Sequence, residues 1–229
     1  MVLFSTEIYK LITTALTELT ESQNARRTPH NPLSEAHYLG AWVTNTMKKK
    51  RFDSIMAPTL KVWQRQARSL GKNAGLKRQF TYLEKCYSDV LDAQKQVQAV
   101  HKNQLEKLYA KLEEDQWLVT TDLPVGEKLN RHSGGKESLI VCAQQMESCF
   151  DEQGLLINPI SLYIRGNQQN MIDFAFTQNL LLYKKTDYKS KVKYHGEFVV
   201  YPNNDGYSLP EFPENKSSET PFPENQNVD

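Results

Sequence analysis

Near the start of the chain apolar residues recur at intervals of three and four. Ile8, Leu11, Ile12, Ala15, Leu16 and Leu19 form one stripe, with Ser5 where a helix cap belongs, which predicts a first helix. After a turn-rich stretch from Ser22 to Pro32, a second stripe runs through Leu39, Trp42, Val43, Thr46 and Met47, with Ser34 as its expected cap. Pro58 suits the opening turn of a third helix whose inward positions are Leu60, Trp63, Ala67 and Leu70, with Gly71 just past its end. From Leu76 the spacing of Phe80, Leu83, Tyr87, Val90, Gln94 and Val97 is close to a heptad, and Leu105, Leu108 and Leu112 extend it imperfectly. One long helix, or two joined near His101, would fill Leu76 to Glu113.

The period then changes. Trp117 to Thr121 reads as a strand, while Leu139, Cys142, Met146, Cys149 and Phe150 are spaced for a helix between Lys136 and Gln153; Leu139 to Val141 alone would also suit a strand. Ile160, Leu162 and Ile164 alternate, Gly166 and Asn167 supply a turn, and Ile172, Phe174 and Phe176 alternate again, which predicts a hairpin. Leu180 to Lys184 and Val192 to Tyr201 are candidates for two further antiparallel strands. The expected fold class is α+β: a helical region over 1–114, an α+β region with an antiparallel meander over 115–204, and a disordered acidic tail over 205–229. The two ordered regions could share one core.

Length and composition fit this picture: 229 residues, 39% apolar and 10% aromatic, exclude collagenous, disulfide-scaffold and wholly disordered chains. Met1 to Phe4 is too short for a secretory apolar segment, and no apolar run approaches the roughly 18 residues that span a bilayer. Cys86, Cys142 and Cys149 lie at no metal-ligand spacing and read as reduced, buried thiols. A cytoplasmic protein without a membrane partner is expected.

Charge alters the picture more. Net charge is +1, yet Lys48 to Arg78 holds Lys48, Lys49, Lys50, Arg51, Lys61, Arg65, Arg68, Lys72, Lys77 and Arg78 against Asp53 alone, while the tail has six acidic residues and one Lys. At about 100° per residue Lys61, Arg65, Arg68 and Lys72 cluster opposite Leu60, Trp63, Ala67 and Leu70. Helix faces usually mix signs, because like charges four apart cost about 0.2–0.5 kcal/mol per pair. Such a face is explained by neutralisation from Asp89 or Asp92, by hydration, by nucleic acid or another polyanion, or by an acidic protein surface, the chain's own tail included. In that tail Phe212-Pro213-Glu214-Asn215 recurs as Phe222-Pro223-Glu224-Asn225, either a chance duplication or a bivalent motif docking through Phe212 and Phe222.

Catalytic chemistry finds little footing, and no cofactor, metal site or catalytic residue is expected. His30, His37, His101, His132 and His195 form no ligand pair. Around Gly134-Gly135-Lys136 a phosphate loop would need Gly at Asn130 and Ser or Thr at Glu137, so a flexible loop capping the following helix is expected instead. Asp173 followed by Asp187-Tyr188-Lys189 echoes the acidic pair and Lys of metal-dependent nucleases, but Asp187 sits in a polar, turn-like run.

The segments Asn31 to Leu39, Arg51-Phe52-Asp53, Ser69 to Leu76 and Pro159 to Gly166 resemble an uncharacterised bacterial family, a domain of unknown function. The resemblance covers Met1 to about Pro202 and omits the acidic tail. It implies a compact bacterial intracellular protein and brings no activity, ligand or site. Non-enzymatic binding of nucleic acid or an acidic partner is the expectation, through the basic helical face of Lys61, Arg65, Arg68 and Lys72 with Lys48 to Arg51 as an auxiliary patch and Lys77 and Arg78 beside it; alternatives are a tail-docked interaction module and a nuclease.

Overall fold

In the computed structural model, which describes residues 2–126, 128–130 and 133–214, the first stripe becomes α1 (Phe4–Asn24), burying Phe4, Ile8, Leu11, Ile12, Ala15 and Leu19. Ser5 lies inside this helix rather than capping it; Leu3 takes the cap position and offers no side-chain bond. α2 (Pro32–Lys49) is capped by Asn31, whose side chain accepts from the Ser34 N–H at 2.9 Å, so Ser34 is the capped residue and not the cap. A 3-10 turn at Ser54–Met56, opened by Asp53 accepting from the Ile55 N–H at 2.9 Å, leads into α3 (Ala57–Leu70).

Leu60 and Trp63 of α3 are buried, but Leu70, expected inward, is 41% exposed. α3 approaches α2 closely, since a Cβ added at Gly40 would stand 3.2 Å from the Ala67 Cβ. Gly71 and Gly75, both at positive φ, bracket a 3-10 turn (Gly71–Ala74) and let the chain reverse into α4 (Leu76–Val90). The Trp63 and Phe80 rings meet at 4.6 Å, joining α3 to α4. α4 stops at Val90: Leu91 is extended, and Asp92 accepts from the Gln96 N–H at 2.8 Å in a turn, so the heptad does not continue as helix through Gln94 and Val97.

The chain divides into two compact units at Gln96 and Val97, not at residue 114. The reason is α5 (Lys102–Glu114), whose Leu105, Leu108 and Leu112 are buried in the same cluster as sheet residues of the second unit. That sheet comprises β1 (Leu118–Leu123), β2 (Ser138–Cys142), β3 (Ile160–Arg165), β4 (Tyr183–Thr186) and β5 (Gly196–Val200), ordered β1-β2-β3-β5-β4. β1 and β2 are parallel and the other pairs antiparallel, so the sheet is mixed and no simple meander forms. The chain is α+β.

Two elements differ from their sequence pattern. Ser138 to Cys142 is a strand, followed by the short α6 (Ala143–Ser148). Leu139 and Val141 face the main core while Ile140 and Cys142 face a second cluster with Tyr163 and Val192; burial on both faces erases the period of two. Ile172, Phe174 and Phe176 lie on a helix, α7 (Gln168–Thr177), opened by the Asn167 side chain accepting from the N–H groups of Gln169 and Asn170. Met171, Ile172 and Ala175 form its buried stripe. The two phenylalanines are covered separately, Phe174 by the Lys111 ammonium 5.7 Å from its ring and Phe176 by Phe212, edge-on at 6.2 Å. The expected hairpin is therefore a strand and a helix.

Phe212 belongs to the stretch expected to be structureless. Residues 205–214 instead sit on the second unit: Pro210 is buried, the Glu211 N–H donates to the Leu182 carbonyl at 2.7 Å, and Gln169 donates to the Phe212 carbonyl at 3.4 Å. The second copy of the repeat, with Phe222, lies outside the described residues. Among the described residues no helix is long and apolar enough to cross a membrane. All three cysteines are free and buried, and burial pushes the Cys86 thiol up to about 11.

Candidate anion-binding site

Each turn of α3 places a cation outward because Leu60 and Trp63 hold the opposite side in the core. Lys61, Arg65 and Arg68 are exposed, as is Lys72 in the turn that follows. Among the described residues none of these four pairs with a carboxylate. Asp92 is engaged by the Gln96 backbone instead of reaching this face, and Asp89 forms no ion pair with it.

Lys72 also lines a cleft of about 500 Å³ between the start of α2 and the first turns of α4. Among the described residues Lys72, Lys77, Arg78 and Lys85 supply four cations to its wall, and Glu35 is its one carboxylate. Gly75 caps α4 with no side-chain acceptor, so the positive end of that helix opens beside Lys77 and Arg78. Glu35 is spoken for: it accepts from Lys77 at 2.7 Å and from Gln23 at 2.8 Å. Burial works against the Glu35 carboxylate, but the bonds from Lys77 and Gln23 and the Lys77 charge outweigh it and hold its pKa below the usual range. The cleft thus keeps a surplus of positive charge, an arrangement suited to phosphate or carboxylate groups.

Residues 3–213 match the family described as protein of unknown function (DUF2913). The chain belongs to that family. Searches of curated proteins and of solved structures return no match. The DUF2913 match includes the whole basic face and cleft, and it runs past Pro202, where the resemblance in the sequence stops, to take in Phe212 and Pro213.

Within the DUF2913 region the remaining candidate residues have separate fates. Arg51 is matched by Glu18, its guanidinium donating to both carboxylate oxygens while lying over Trp42 at 5.4 Å and Phe52 at 5.9 Å. The Arg51 hydrogen bond holds the Glu18 carboxyl below its usual range against the opposing effect of burial, and Trp42 assists by donating at 2.6 Å. Lys48 and Lys49 occupy the last turn of α2 and Lys50 its left-handed cap, where cations suit the negative helix end. Of the cations from Lys48 to Arg51 and of those in the cleft, Arg51 is paired with Glu18 and Lys77 with Glu35. Phe212 is half-buried and meets Phe176 of its own chain edge-on at 6.2 Å.

Of the residues that echo a nuclease, Asp173 accepts from Gln169 on α7 and Asp187 pairs with Lys184 at 3.1 Å; among the described residues no three His, Cys, Asp or Glu gather as metal ligands. The Gly134-Gly135 stretch precedes β2, so no helix follows for it to cap. Glu35, Tyr82 and Lys85 escaped the sequence reading. Lys85 was within reach of it, lying seven residues after Arg78 and so two turns along the same face.

Proposed function

We propose that this protein is a non-enzymatic, cytoplasmic nucleic-acid-binding protein that engages phosphates through Lys61, Arg65 and Arg68 and through the cleft entered at Lys72. One observation carries this reading: Lys61, Arg65 and Arg68 stand exposed along one face of α3 and Lys72 is exposed in the turn that follows, with no carboxylate partner for any of them among the described residues. Lys61 and Arg65 are a like pair four apart on α3, costing about 0.2–0.5 kcal/mol in the free protein. An anionic ligand converts that repulsion into attraction. Buried, reduced thiols suit the cytoplasm.

The test is a salt titration of duplex DNA binding. Four phosphate contacts give a log–log slope of about −3.6, so affinity falls about a hundredfold between 50 and 200 mM salt. The triple variant Lys61→Ala, Arg65→Ala, Arg68→Ala should flatten the slope by about 2.7 units. Salt-indifferent binding, or a triple variant with the wild-type slope, would show that this face does not hold the ligand.

A further inference from the structure

The connection from β4 to β5 carries a second cationic surface, in the other unit. Between Lys184 and His195 five lysines stand against Asp187 alone, interleaved with Tyr188 and Tyr194. The loop is firmly built. Val192 and His195 are wholly buried, His195 Nε2 lies 3.0 Å from the Ser138 hydroxyl, and Nδ1 lies 2.9 Å from the Lys193 carbonyl. Leu129 bonds the loop from both sides, donating to the Lys191 carbonyl and accepting from the Lys193 N–H, each at 2.8 Å.

These anchors force the residue between them outward. Tyr194 takes a φ of +64°, a left-handed conformation that a bulky side chain rarely adopts, and it is 61% exposed. Tyr188 is 66% exposed. Lys193 Nζ lies over the Tyr194 ring, 4.8 Å from its centre, and Lys189 Nζ over the Tyr188 ring at 5.9 Å, so each ring has an ammonium group on one face and its other face is left for a base. Lys184 and Lys185 are matched by Asp187 and Glu197; Lys189, Lys191 and Lys193 have no carboxylate partner among the described residues.

We propose that this loop binds single-stranded nucleic acid, with bases stacked on Tyr188 and Tyr194 and phosphates held by Lys189, Lys191 and Lys193. Two exposed aromatic rings beside unneutralised lysines form the combination that a strand with free base faces uses: the rings take π-faces of any sequence and the ammonium groups take the backbone. A duplex, whose bases already stack on one another, can use the lysines but not the rings. An acidic peptide would likewise be drawn to the lysines and leave the ring faces idle. The site is separate in sequence and residues from the α3 face and does not rest on it.

The experiment uses the full chain carrying Lys61→Ala, Arg65→Ala and Arg68→Ala, so that failure of the α3 reading leaves this one testable. Fluorescence anisotropy with a labelled oligo(dT) of about 20 nucleotides and with a duplex of equal length, at low salt, reads the two ligands. Adding Tyr188→Ala and Tyr194→Ala should weaken oligo(dT) binding about tenfold or more and change duplex binding less than about twofold. Tyr188→Phe with Tyr194→Phe keeps both rings and should retain oligo(dT) binding. Replacing Lys189, Lys191 and Lys193 by Gln should flatten the single-strand salt slope by about 2 units. The proposal is overturned if oligo(dT) does not bind while both tyrosines are present, if the Ala pair binds it unchanged, if the Phe pair loses as much as the Ala pair, or if polyglutamate displaces it equally well from both.

Discussion

Glu35→Gln separates stability from binding, because Glu35 serves the fold and opposes an anion at the same time. Its side chain is 11% exposed and that of Lys77 is 48% exposed, joined at 2.7 Å. A bond to a charged group contributes about 1.5–3 kcal/mol, and discounting for the half-exposed lysine leaves about 1 kcal/mol for the charge lost in the variant. Gln at this position keeps the shape and still accepts from Gln23. For binding, a phosphate about 6 Å from the carboxylate is repelled by about 3 kcal/mol at an effective dielectric of about 20; water and salt reduce this to about 1. Glu35→Gln should therefore unfold at lower urea by about 1 kcal/mol yet bind duplex DNA about fivefold more tightly in anisotropy titrations. The carboxyl is held below its ordinary value in the fold, so its contribution is fully present above that value and is lost as pH falls through the lowered one. The stability gap between wild type and variant should thus be constant at neutral pH and close below about pH 4.5. A variant that is less stable but binds no more tightly would refute the cleft as an anion site.

Two further outcomes follow from the second unit. Burial pushes the His195 imidazole below its usual value and the nearby Arg165 charge adds to this, against the Lys193 carbonyl. The unfolded chain then takes up a proton first, so stability is complete above about pH 6.5 and declines as pH falls; urea midpoints across pH should show this slope in wild type and lose it in His195→Asn. Phe212→Ala uncovers Phe176 and should cost about 1–2 kcal/mol, with faster hydrogen exchange at the Glu211 amide, while Phe212→Leu keeps most of the protection.

Where one face of an element meets the core, local pattern was enough. The stripes of α1, α2 and α3 are legible in the sequence because apolar residues return once per turn, and the same 100° step places Lys61, Arg65 and Arg68 together on the side that Trp63 leaves to solvent. β3 is legible too, through Ile160, Leu162 and Ile164. Pattern misleads where burial is two-sided or supplied from afar. β2 is covered on both faces and so shows no alternation, and α7 carries Phe174 and Phe176 off its stripe because Lys111 and Phe212 cover them. α5 continues the spacing of α4, yet it folds with the sheet that follows it in the chain.

The basic block divides the same way between local pattern and tertiary fold. That the run from Lys48 to Arg78 is cationic, and that part of it lies along one helix face, is a property of composition and helical geometry alone. Which cations are neutralised was settled only by the fold: Arg51 meets Glu18 across 33 residues and Lys77 meets Glu35 across 42, while Lys61, Arg65 and Arg68 meet no described carboxylate. Helical periodicity acts over a few residues and can be read along the chain. An ion pair depends on two distant segments arriving at one place, and the packing that brings them there is a property of the whole unit.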